Sequence, residues 1–222
     1  MATPSSPEVP ATALPGRARE ARENDVALLR AAREVFAAEG YDAPMSAVAA
    51  RAGIGVGGIY RRYANKEELV QRVRGYALEE LTATANEVAA SAAGPDGALA
   101  AFLRRHLTIA GAMVTSALSA RSDFTAELAA LSDGLRDALE HLLVPDRARG
   151  LVPEDFGPGD VMAAIVHLRA PVSANHHRDR IMHQRQLEFF LRGLRAAVTD
   201  PVTEGAATSW DDWMALHIRP EA

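Results

Sequence analysis

Apolar side chains recur at three- and four-residue spacing along most of this chain, which is the pattern of helices with one buried face. No segment shows the alternation of apolar and polar residues that is typical of strands, so an all-α fold is predicted. The first helix is predicted to begin at Asn24 and to end at Gly40. Its buried stripe would consist of Leu28, Leu29, Ala32, Val35 and Phe36.

Two short helices and one long helix are predicted next. The first short helix has Pro44 in its first turn and ends at Gly53. A glycine-rich turn over 53–58 then leads into a second short helix, Ile59 to Tyr63. Asn65 can cap a long helix that runs to about Ala93, where Gly94-Pro95 stops it.

The rest of the chain is predicted to be helical, with a short amphipathic piece near the end. Breaks are expected at Ser122-Asp123, at Pro145, in the loop 150–159 and around Pro171. The end piece contains Trp210 and Trp213. The predicted helices span 96–111, 112–121, 124–144, 160–172 and 176–198.

Composition limits the classes of protein that remain. The 222 residues contain no cysteine, which excludes disulfides, thiolate metal sites and cysteine nucleophiles. No apolar run approaches the roughly 18 residues that a membrane span needs, so a soluble, cytoplasmic protein is expected. Residues 1–16, rich in Pro, Ala and Ser, are expected to form a disordered tail.

The charge is unevenly distributed, although the whole chain carries −5. Between Ala43 and Lys66 there are four basic residues and no acidic one, whereas beyond residue 80 there are 13 basic and 18 acidic residues. A basic module on an acidic body favours a polyanionic partner. Chance clustering on a solvated face remains an alternative.

Two short helices joined by a glycine-containing turn, between two longer helices, predict a helix-turn-helix unit. The residues of this unit resemble the TetR (tetracycline repressor) family over about 50 residues. The matching stretches are Gly40-Tyr41, Val48 to Tyr63 and Lys66 to Leu69. The resemblance implies a three-helix DNA-binding domain over 17–82, a helical effector-binding and dimerisation domain over 83–200, and a tail over 201–222.

The resemblance implies that Tyr60 and Lys66 contact DNA phosphates. Lys66 is the only lysine in the chain. Arg61 and Arg62 are candidates for hydrogen bonds to guanine or for binding to a backbone phosphate. The alternative is that both side chains are simply solvated. Arg17 and Arg19 are expected to lie in an arm before the first helix. That arm would either contact DNA or form a flexible, solvated tail. The full predicted DNA-binding set is Arg17, Arg19, Ser46, Arg51, Val56, Gly57, Gly58, Tyr60, Arg61, Arg62, Tyr63 and Lys66.

Three departures from the family pattern bear on sequence specificity. Gly55 replaces the serine that the family usually has before the second short helix, the helix that reads DNA (the reading helix). Ala43-Pro44 replaces the threonine or serine that the family usually has at the start of the first short helix. The positions that would face the bases, Val56 to Gly58, offer few hydrogen bonds, although glycine lets the backbone approach DNA closely. Specificity would then rest on the arginines, Ser46 and DNA shape.

The second domain is expected to hold a small-molecule effector and to form a homodimer on double-stranded, palindromic operator DNA. Each predicted pocket residue has plain core packing as its alternative. The predicted pocket residues are Phe102, His106, Met113, Phe124, Leu128, Leu131, His141, Met162 and His167. The predicted dimer-interface residues are Val161, Ile165, Leu168, Leu187, Phe190, Leu191 and Leu194, with packing inside one chain as the alternative.

No cofactor, metal site or enzymatic activity is predicted. His176, His177, Asp179 and His183 lie close together in sequence, but a solvated, basic helix start explains them better than a zinc site. No catalytic motif is recognisable. The leading interpretation is a ligand-responsive repressor, and the second is a regulator or scaffold without a small-molecule effector.

Overall fold

The computed structural model describes residues 15–91, 94–108, 124–168, 176–202 and 205–216. Those residues form helices and no strand, which confirms the predicted all-α class. The helices are α1 Pro15–Glu39, α2 Met45–Ala52, α3 Val56–Tyr60, α4 Lys66–Ala90, α5 Ala98–Thr108, α6 Ala126–Ala148, α7 Pro158–Leu168, α8 His176–Ala197 and α9 Trp210–Ala215.

Two hydrophobic clusters organise the chain, and α4 contributes to both. The N-terminal cluster packs α1, α2 and α3 against the first half of α4, with Phe36 and Ile59 fully buried. The larger cluster joins the second half of α4 to α5, α6, α7 and α8, with Phe102 at its centre. One continuous helix therefore links the helix-turn-helix unit to the C-terminal body.

Local signals placed several helix ends correctly. Gly40 and Gly53 have φ angles of 80° and 69°, the left-handed conformation that favours glycine at a helix end. The Asn65 side chain accepts a hydrogen bond from the Glu68 backbone N–H at 2.9 Å and caps α4. These ends depend on contacts within a few residues, so sequence alone could predict them.

The first helix begins at Pro15, not at Asn24, so the predicted arm with Arg17 and Arg19 is part of a helix. The physical reason is composition: the segment is rich in Ala, Arg and Glu, which favour helix. Arg19 also pairs with Glu23 one turn later, at 2.8 Å. Residues 15 and 16 of the predicted disordered tail are helical, and residues 1–14 lie outside the described residues.

The reading helix spans Val56–Tyr60, three residues earlier than predicted. Gly55 is extended and serves as its N-cap, and the Gly58 N–H donates to the Gly55 carbonyl at 2.8 Å. Ile59, at 0% exposure, holds this helix against the N-terminal core. Burial of one apolar side chain therefore outweighs the poor helix propensity of two glycines.

The predicted break at Pro145 is also wrong, because α6 continues through Pro145 to Ala148. The fully buried Asp146 carboxylate accepts hydrogen bonds from the backbone N–H groups of Ala98 and Leu99, at 2.9 and 2.8 Å. That contact ties the end of α6 to the start of α5. The long helix α4 ends at Ala90, three residues before the predicted end.

The other predicted boundaries agree to within about two residues where they can be compared. The predicted helix 112–121 and the breaks at Ser122-Asp123 and Pro171 fall outside the described residues. None of the helices in the described ranges is long and apolar enough to cross a membrane.

Candidate nucleic-acid interface and ligand cavity

The short helix α3 presents an exposed face beside the turn that precedes it. Tyr60 is 50% exposed and Val56 is 37% exposed, and Gly57 and Arg61 are exposed as well. Ile59 points into the core from the same helix. The backbone places these exposed side chains where a helix-turn-helix protein meets a groove of DNA.

The glycines of α3 are not required by packing. A Cβ atom added to Gly57 would have no heavy atom within 4 Å, and one added to Gly58 would be 3.7 Å from Ile54. Both positions therefore have room for a side chain inside the folded chain. Their bare backbone is available for close approach by a ligand outside it.

Ser46 and Arg51 on α2 are both exposed, and Arg51 forms an ion pair with Glu34 of α1. Both partners lie near the surface, where an ion pair contributes little stability. Arg51 can therefore exchange this carboxylate for a phosphate at low cost.

Tyr63 is a core residue and not a surface contact, which corrects its place in the predicted DNA-binding set. It is 7% exposed, and its hydroxyl donates a hydrogen bond to Asp25 at 3.1 Å. Burial, aided by the negative charge of Asp25, raises the pKa of Tyr63 to about 12. Arg62 remains 37% exposed, and its guanidinium lies 3.5 Å from the same carboxylate.

Lys66, at the start of α4, lies over two aromatic rings. Its Nζ atom is 5.0 Å from the centre of the Tyr41 ring and 5.9 Å from the centre of the Phe36 ring. The Tyr41 hydroxyl donates to Glu67 at 2.9 Å, which fixes the ring beneath the ammonium. This cation–π arrangement holds the charge in place while leaving its N–H groups able to donate.

The predicted arm residues lie on the first turns of α1. Arg19 is 80% exposed at its side chain and pairs with Glu23. The side chain of Arg17 is outside the described part of the chain. A helix therefore replaces the arm that the sequence suggested, and Arg19 extends from its surface.

A small cavity of about 40 Å³ lies between α4, α6, α7 and α9. Three of its lining residues, Phe124, Leu128 and Met162, belong to the predicted pocket set. The sequence analysis did not single out the other lining residues, which come from α4, α6 and α9. They are Arg74, Leu78, Ser132, Leu135, Trp210, Trp213 and Met214.

Arg74 is the cationic residue of this lining. It is 4% exposed, and its guanidinium carbon lies 5.7 Å from the centre of the Phe124 ring. Burial lowers the pKa of Arg74, because desolvation penalises the charged form. The sequence analysis missed Arg74 because sequence alone does not distinguish a buried arginine from a solvated one.

The tail segment 205–216 closes one side of the cavity. Asp160 at the start of α7 accepts a hydrogen bond from the Thr208 N–H at 2.8 Å. Ser209 and Asp212 form a capping box at the start of α9, and Trp213 is 7% exposed. The predicted amphipathic piece with two tryptophans thus packs against the C-terminal body and forms one side of the cavity.

The remaining predicted pocket residues do not line this cavity. Phe102 and His106 stack in the core with ring centres 6.2 Å apart, and both are buried. His141 and His167 are exposed, so they face solvent in the single chain. Leu131 is partly buried beside Gly75, and Met113 lies outside the described residues.

The predicted dimer residues divide into two groups. Four of them are buried in the core of their own chain and have no free face, because α7 and α8 pack inward there. They are Val161, Ile165, Leu168 and Leu187. Phe190, Leu191 and Leu194 are partly buried against the same core.

A different set of apolar residues is exposed on α8. Ile181, Met182 and Phe189 are 55%, 45% and 52% exposed, respectively. The Arg185 guanidinium carbon lies 5.0 Å from the centre of the Phe189 ring. Helical periodicity identified the buried stripe of α8 but could not show that a second apolar group faces outward.

Within the described residues, no group of three or more His, Asp or Glu side chains is arranged to hold a metal ion. The side chains of His176 and His177 are not among those described. The prediction that the chain holds no metal therefore stays a prediction.

Two family models match consecutive parts of the chain. The model described as "Bacterial regulatory proteins, tetR family" matches residues 28–73, which run from the middle of α1 to the first third of α4. The model described as "Transcriptional regulator SbtR-like, C-terminal domain" matches residues 94–196. No curated protein sequence matches the chain significantly.

Solved structures with the same architecture include several regulators. A TetR regulatory protein from Mycobacterium vanbaalenii is 28% identical, with a TM-score of 0.59 over 82% of this chain and 99% of that one. A TetR regulator from Streptomyces coelicolor is 25% identical, with a TM-score of 0.56 over 78% and 98%. The FadR regulator from Bacillus subtilis, solved with stearoyl-CoA, is 18% identical with a TM-score of 0.55 over 80% and 99%, and this likeness concerns the fold alone.

The helix-turn-helix geometry, the two family models and the matching folds agree with one another. The chain belongs to the TetR family of DNA-binding transcriptional regulators.

Proposed function

We propose that this regulator is a repressor that binds a palindromic operator as a dimer and is released by a small molecule in its C-terminal body. The observation that carries the proposal is the exposed face of α3, which is followed directly by the exposed Arg61 and, at the start of α4, by Lys66. Repression is inferred because it is the commoner mode of the TetR family.

DNA contacts are assigned by exposure and chemistry. Tyr60 and Lys66 bind backbone phosphates, since both offer a donor at one edge of the reading unit. Arg61 reaches base edges or phosphate, and Val56 suits the methyl group of thymine. Arg51, Arg62 and Ser46 supplement these contacts from the rim of the interface.

Dimerisation is assigned to the exposed side of α8. Ile181, Met182 and Phe189 form an apolar surface that a second copy of the chain would cover. Twofold symmetry places two reading helices on one face of DNA, about 34–36 Å apart. The buried residues Val161, Ile165, Leu168 and Leu187 support that surface from within.

Release of DNA is assigned to α4, since this helix connects the two functions. Lys66 is in its first turn, and Arg74 borders the cavity eight residues later. At a rise of about 1.5 Å per residue, the two positions are about 12 Å apart along one rigid helix. A ligand that shifts α4 would alter the spacing of the reading helices and lower operator affinity.

A regulator without a small-molecule effector is the second candidate. The observation that favours it is the small size of the cavity, about 40 Å³. In that case the exposed surface of α8, or another surface, would receive a protein partner.

Selection of genomic DNA by the purified protein tests the proposal. We expect enrichment of one palindromic sequence whose half-sites lie about one helical turn apart. The variant Tyr60→Ala, at an exposed position outside the core, is the control and should lose this enrichment. A selected pool without a shared sequence would contradict the operator assignment.

A further inference from the structure

We propose that four side chains between α1 and α4 set the angle between the helix-turn-helix unit and the C-terminal body, and thereby determine which spacing of half-sites the dimer accepts. They are Arg30 and Arg33 of α1 with Tyr76 and Glu80 of α4, and together they form the Glu80 network. The inference rests on the proposed function, because it concerns how a dimer would fit a palindromic operator.

The Glu80 carboxylate accepts hydrogen bonds from both helices. Its Oε2 atom accepts from the Arg33 Nη1 group at 2.5 Å, and its Oε1 atom accepts from the Tyr76 hydroxyl at 2.5 Å. Arg30 donates to the Tyr76 hydroxyl at 3.1 Å and lies 3.5 Å from the carboxylate. Both arginines come from α1 and both of their acceptors from α4, so the network holds one helix against the other.

Most of the network is shielded from water. Arg33 is 4% exposed and Tyr76 is 7% exposed, and 22% of the Glu80 side chain is exposed. Burial alone would raise the pKa of Glu80, but the hydrogen bonds from Tyr76 and Arg33 outweigh burial and lower that pKa. The carboxylate therefore stays charged at neutral pH. Charge-assisted bonds in a poorly solvated site hold their geometry more firmly than exposed ion pairs do.

The network lies where the two hydrophobic clusters meet on α4. Tyr76 is the last α4 residue of the N-terminal cluster, and Leu81 is the first buried α4 residue of the larger cluster. Arg33 therefore reaches past the N-terminal cluster and binds α4 beside the part that packs in the C-terminal body. A bend of α4 between the two clusters would change the distance from Arg33 to Glu80, so this contact resists such a bend.

Residues on both sides of Glu80 weaken α4 as a rigid rod. Gly75 is an interior glycine, which lowers helix stability, and a Cβ atom there would lie 3.3 Å from Leu131 of α6. The Thr84 hydroxyl donates to the Glu80 backbone carbonyl at 2.8 Å, and such bonds favour bending of a helix. We therefore expect α4 to bend in this stretch when the network is removed.

A small bend at this place has a large effect on the position of the reading helix. Glu80 follows Lys66 by fourteen residues, which is about 21 Å along α4 at a rise of about 1.5 Å per residue. A bend of about 10° would displace the first turn of α4 by about 4 Å, close to the rise of one base pair. The helix α3 packs on this part of α4 and would move with it. The network thus controls the distance between the two reading helices of a dimer.

The first test uses duplexes with two inverted copies of the selected half-site, separated by spacers that differ by one base pair. We expect wild type to prefer one spacer over its neighbours by about tenfold, and Glu80→Gln and Tyr76→Phe to reduce that preference to about threefold or less. Glu79→Gln is the control, since it makes the same change one residue away, where the side chain pairs with Arg72 of its own helix. A general loss of stability would weaken binding at every spacing by the same factor and leave the preference unchanged.

The second test measures the angle without DNA. The chain has no cysteine, so two introduced cysteines can carry spin labels. Ala38→Cys at the end of α1 and Ala148→Cys at the end of α6 are at exposed positions and report the distance between the two parts of one chain. Labelled chains are diluted with unlabelled protein so that each dimer holds one labelled copy. The distance distribution should broaden by about 4 Å in Glu80→Gln and should not change in Glu79→Gln.

Two results would overturn the inference: an unchanged distance distribution in folded Glu80→Gln protein, or an unchanged spacing preference in both network variants. Circular dichroism checks the fold, and Tyr76→Phe, which removes one hydroxyl, carries both measurements if Glu80→Gln does not fold. Failure of the proposed function is distinguishable, because wild type would then select no palindrome. The spacing claim would fall with it, whereas a broadened distance would still support the role of the network in fixing the angle.

Discussion

The Tyr63 hydroxyl donates a hydrogen bond to the Asp25 carboxylate at 3.1 Å, and this bond joins the segment after α3 to α1. The same carboxylate lies 3.5 Å from Arg62, which the sequence marks as a candidate for DNA contact. Asp25 therefore anchors the segment that follows α3 and also pairs with Arg62, an arginine that we propose for DNA contact. These effects can be separated by substitution.

Asp25→Asn should strengthen DNA binding. The amide oxygen can still accept the Tyr63 hydrogen bond, while Arg62 loses its ionic partner and one negative charge leaves the interface. We expect about threefold to tenfold tighter binding at low salt, with a smaller gain as salt rises. Anisotropy titrations measure the change, and Glu20→Gln on the exposed side of α1 is the charge-matched control. Weaker binding with an intact fold would contradict this role for Asp25.

Tyr63→Phe should lower stability by about 1 kcal/mol at neutral pH, through loss of one hydrogen bond in a partly buried site. In the folded chain the pKa of Tyr63 is raised from 10 to about 12, so its neutral form stabilises the fold fully below pH 10. That contribution is lost as the pH rises from 10 to 12. The difference in unfolding free energy between wild type and variant should therefore shrink across this window, measured by urea unfolding with circular dichroism. A constant difference from pH 8 to pH 12 would refute the raised pKa.

Gly57→Ala should stabilise the chain slightly while weakening DNA binding. The position is open and helical, so alanine should gain up to about 1 kcal/mol in helix propensity. If the bare backbone approaches DNA, the added methyl group should reduce affinity by about tenfold. Gly134→Ala is the control, since Gly134 is an equally open glycine in α6, away from α3. Unchanged affinity would mean that the backbone of α3 stays away from the bases.

Phe189→Asp should separate the dimer without unfolding the chain. Phe189 is 52% exposed, so the charge enters solvent in the single chain but would be buried in the proposed interface. Sedimentation should show monomers at concentrations where wild type is dimeric, with operator affinity lowered by about a hundredfold or more. Val144→Asp changes a similarly exposed apolar residue on α6 and should leave the dimer intact. A dimer that survives Phe189→Asp would move the interface to another surface.

Sequence predicted the parts of this molecule that depend on neighbouring residues. Gly40, Gly53 and Asn65 end or begin helices through backbone geometry and one local hydrogen bond. The helix-turn-helix unit follows from such local signals and from its resemblance to a known family. The reading helix begins three residues before its predicted start, because it is held by the burial of Ile59 against other helices, which sequence alone does not show.

Features that depend on distant segments could not be predicted. Arg74 borders the cavity beside Trp210 and Trp213, which are more than 130 residues away in sequence. The apolar stripe on α8 was predicted to be a dimer interface, but Leu187 is buried in its own chain, because periodicity does not say whether a helix packs on its own chain or on a second copy. Leu187 is buried in its own core, while Phe189 on the same helix is exposed.

The most direct test of the central claim is a titration of labelled DNA from upstream of the gene, with unrelated DNA for comparison, at several salt concentrations. We expect tight binding to one palindromic site and a log–log salt slope of several units, and Lys66→Ala should reduce that slope by about 1. Absence of binding to either DNA at low salt would contradict the assignment of α3 and Lys66 as a DNA-reading surface.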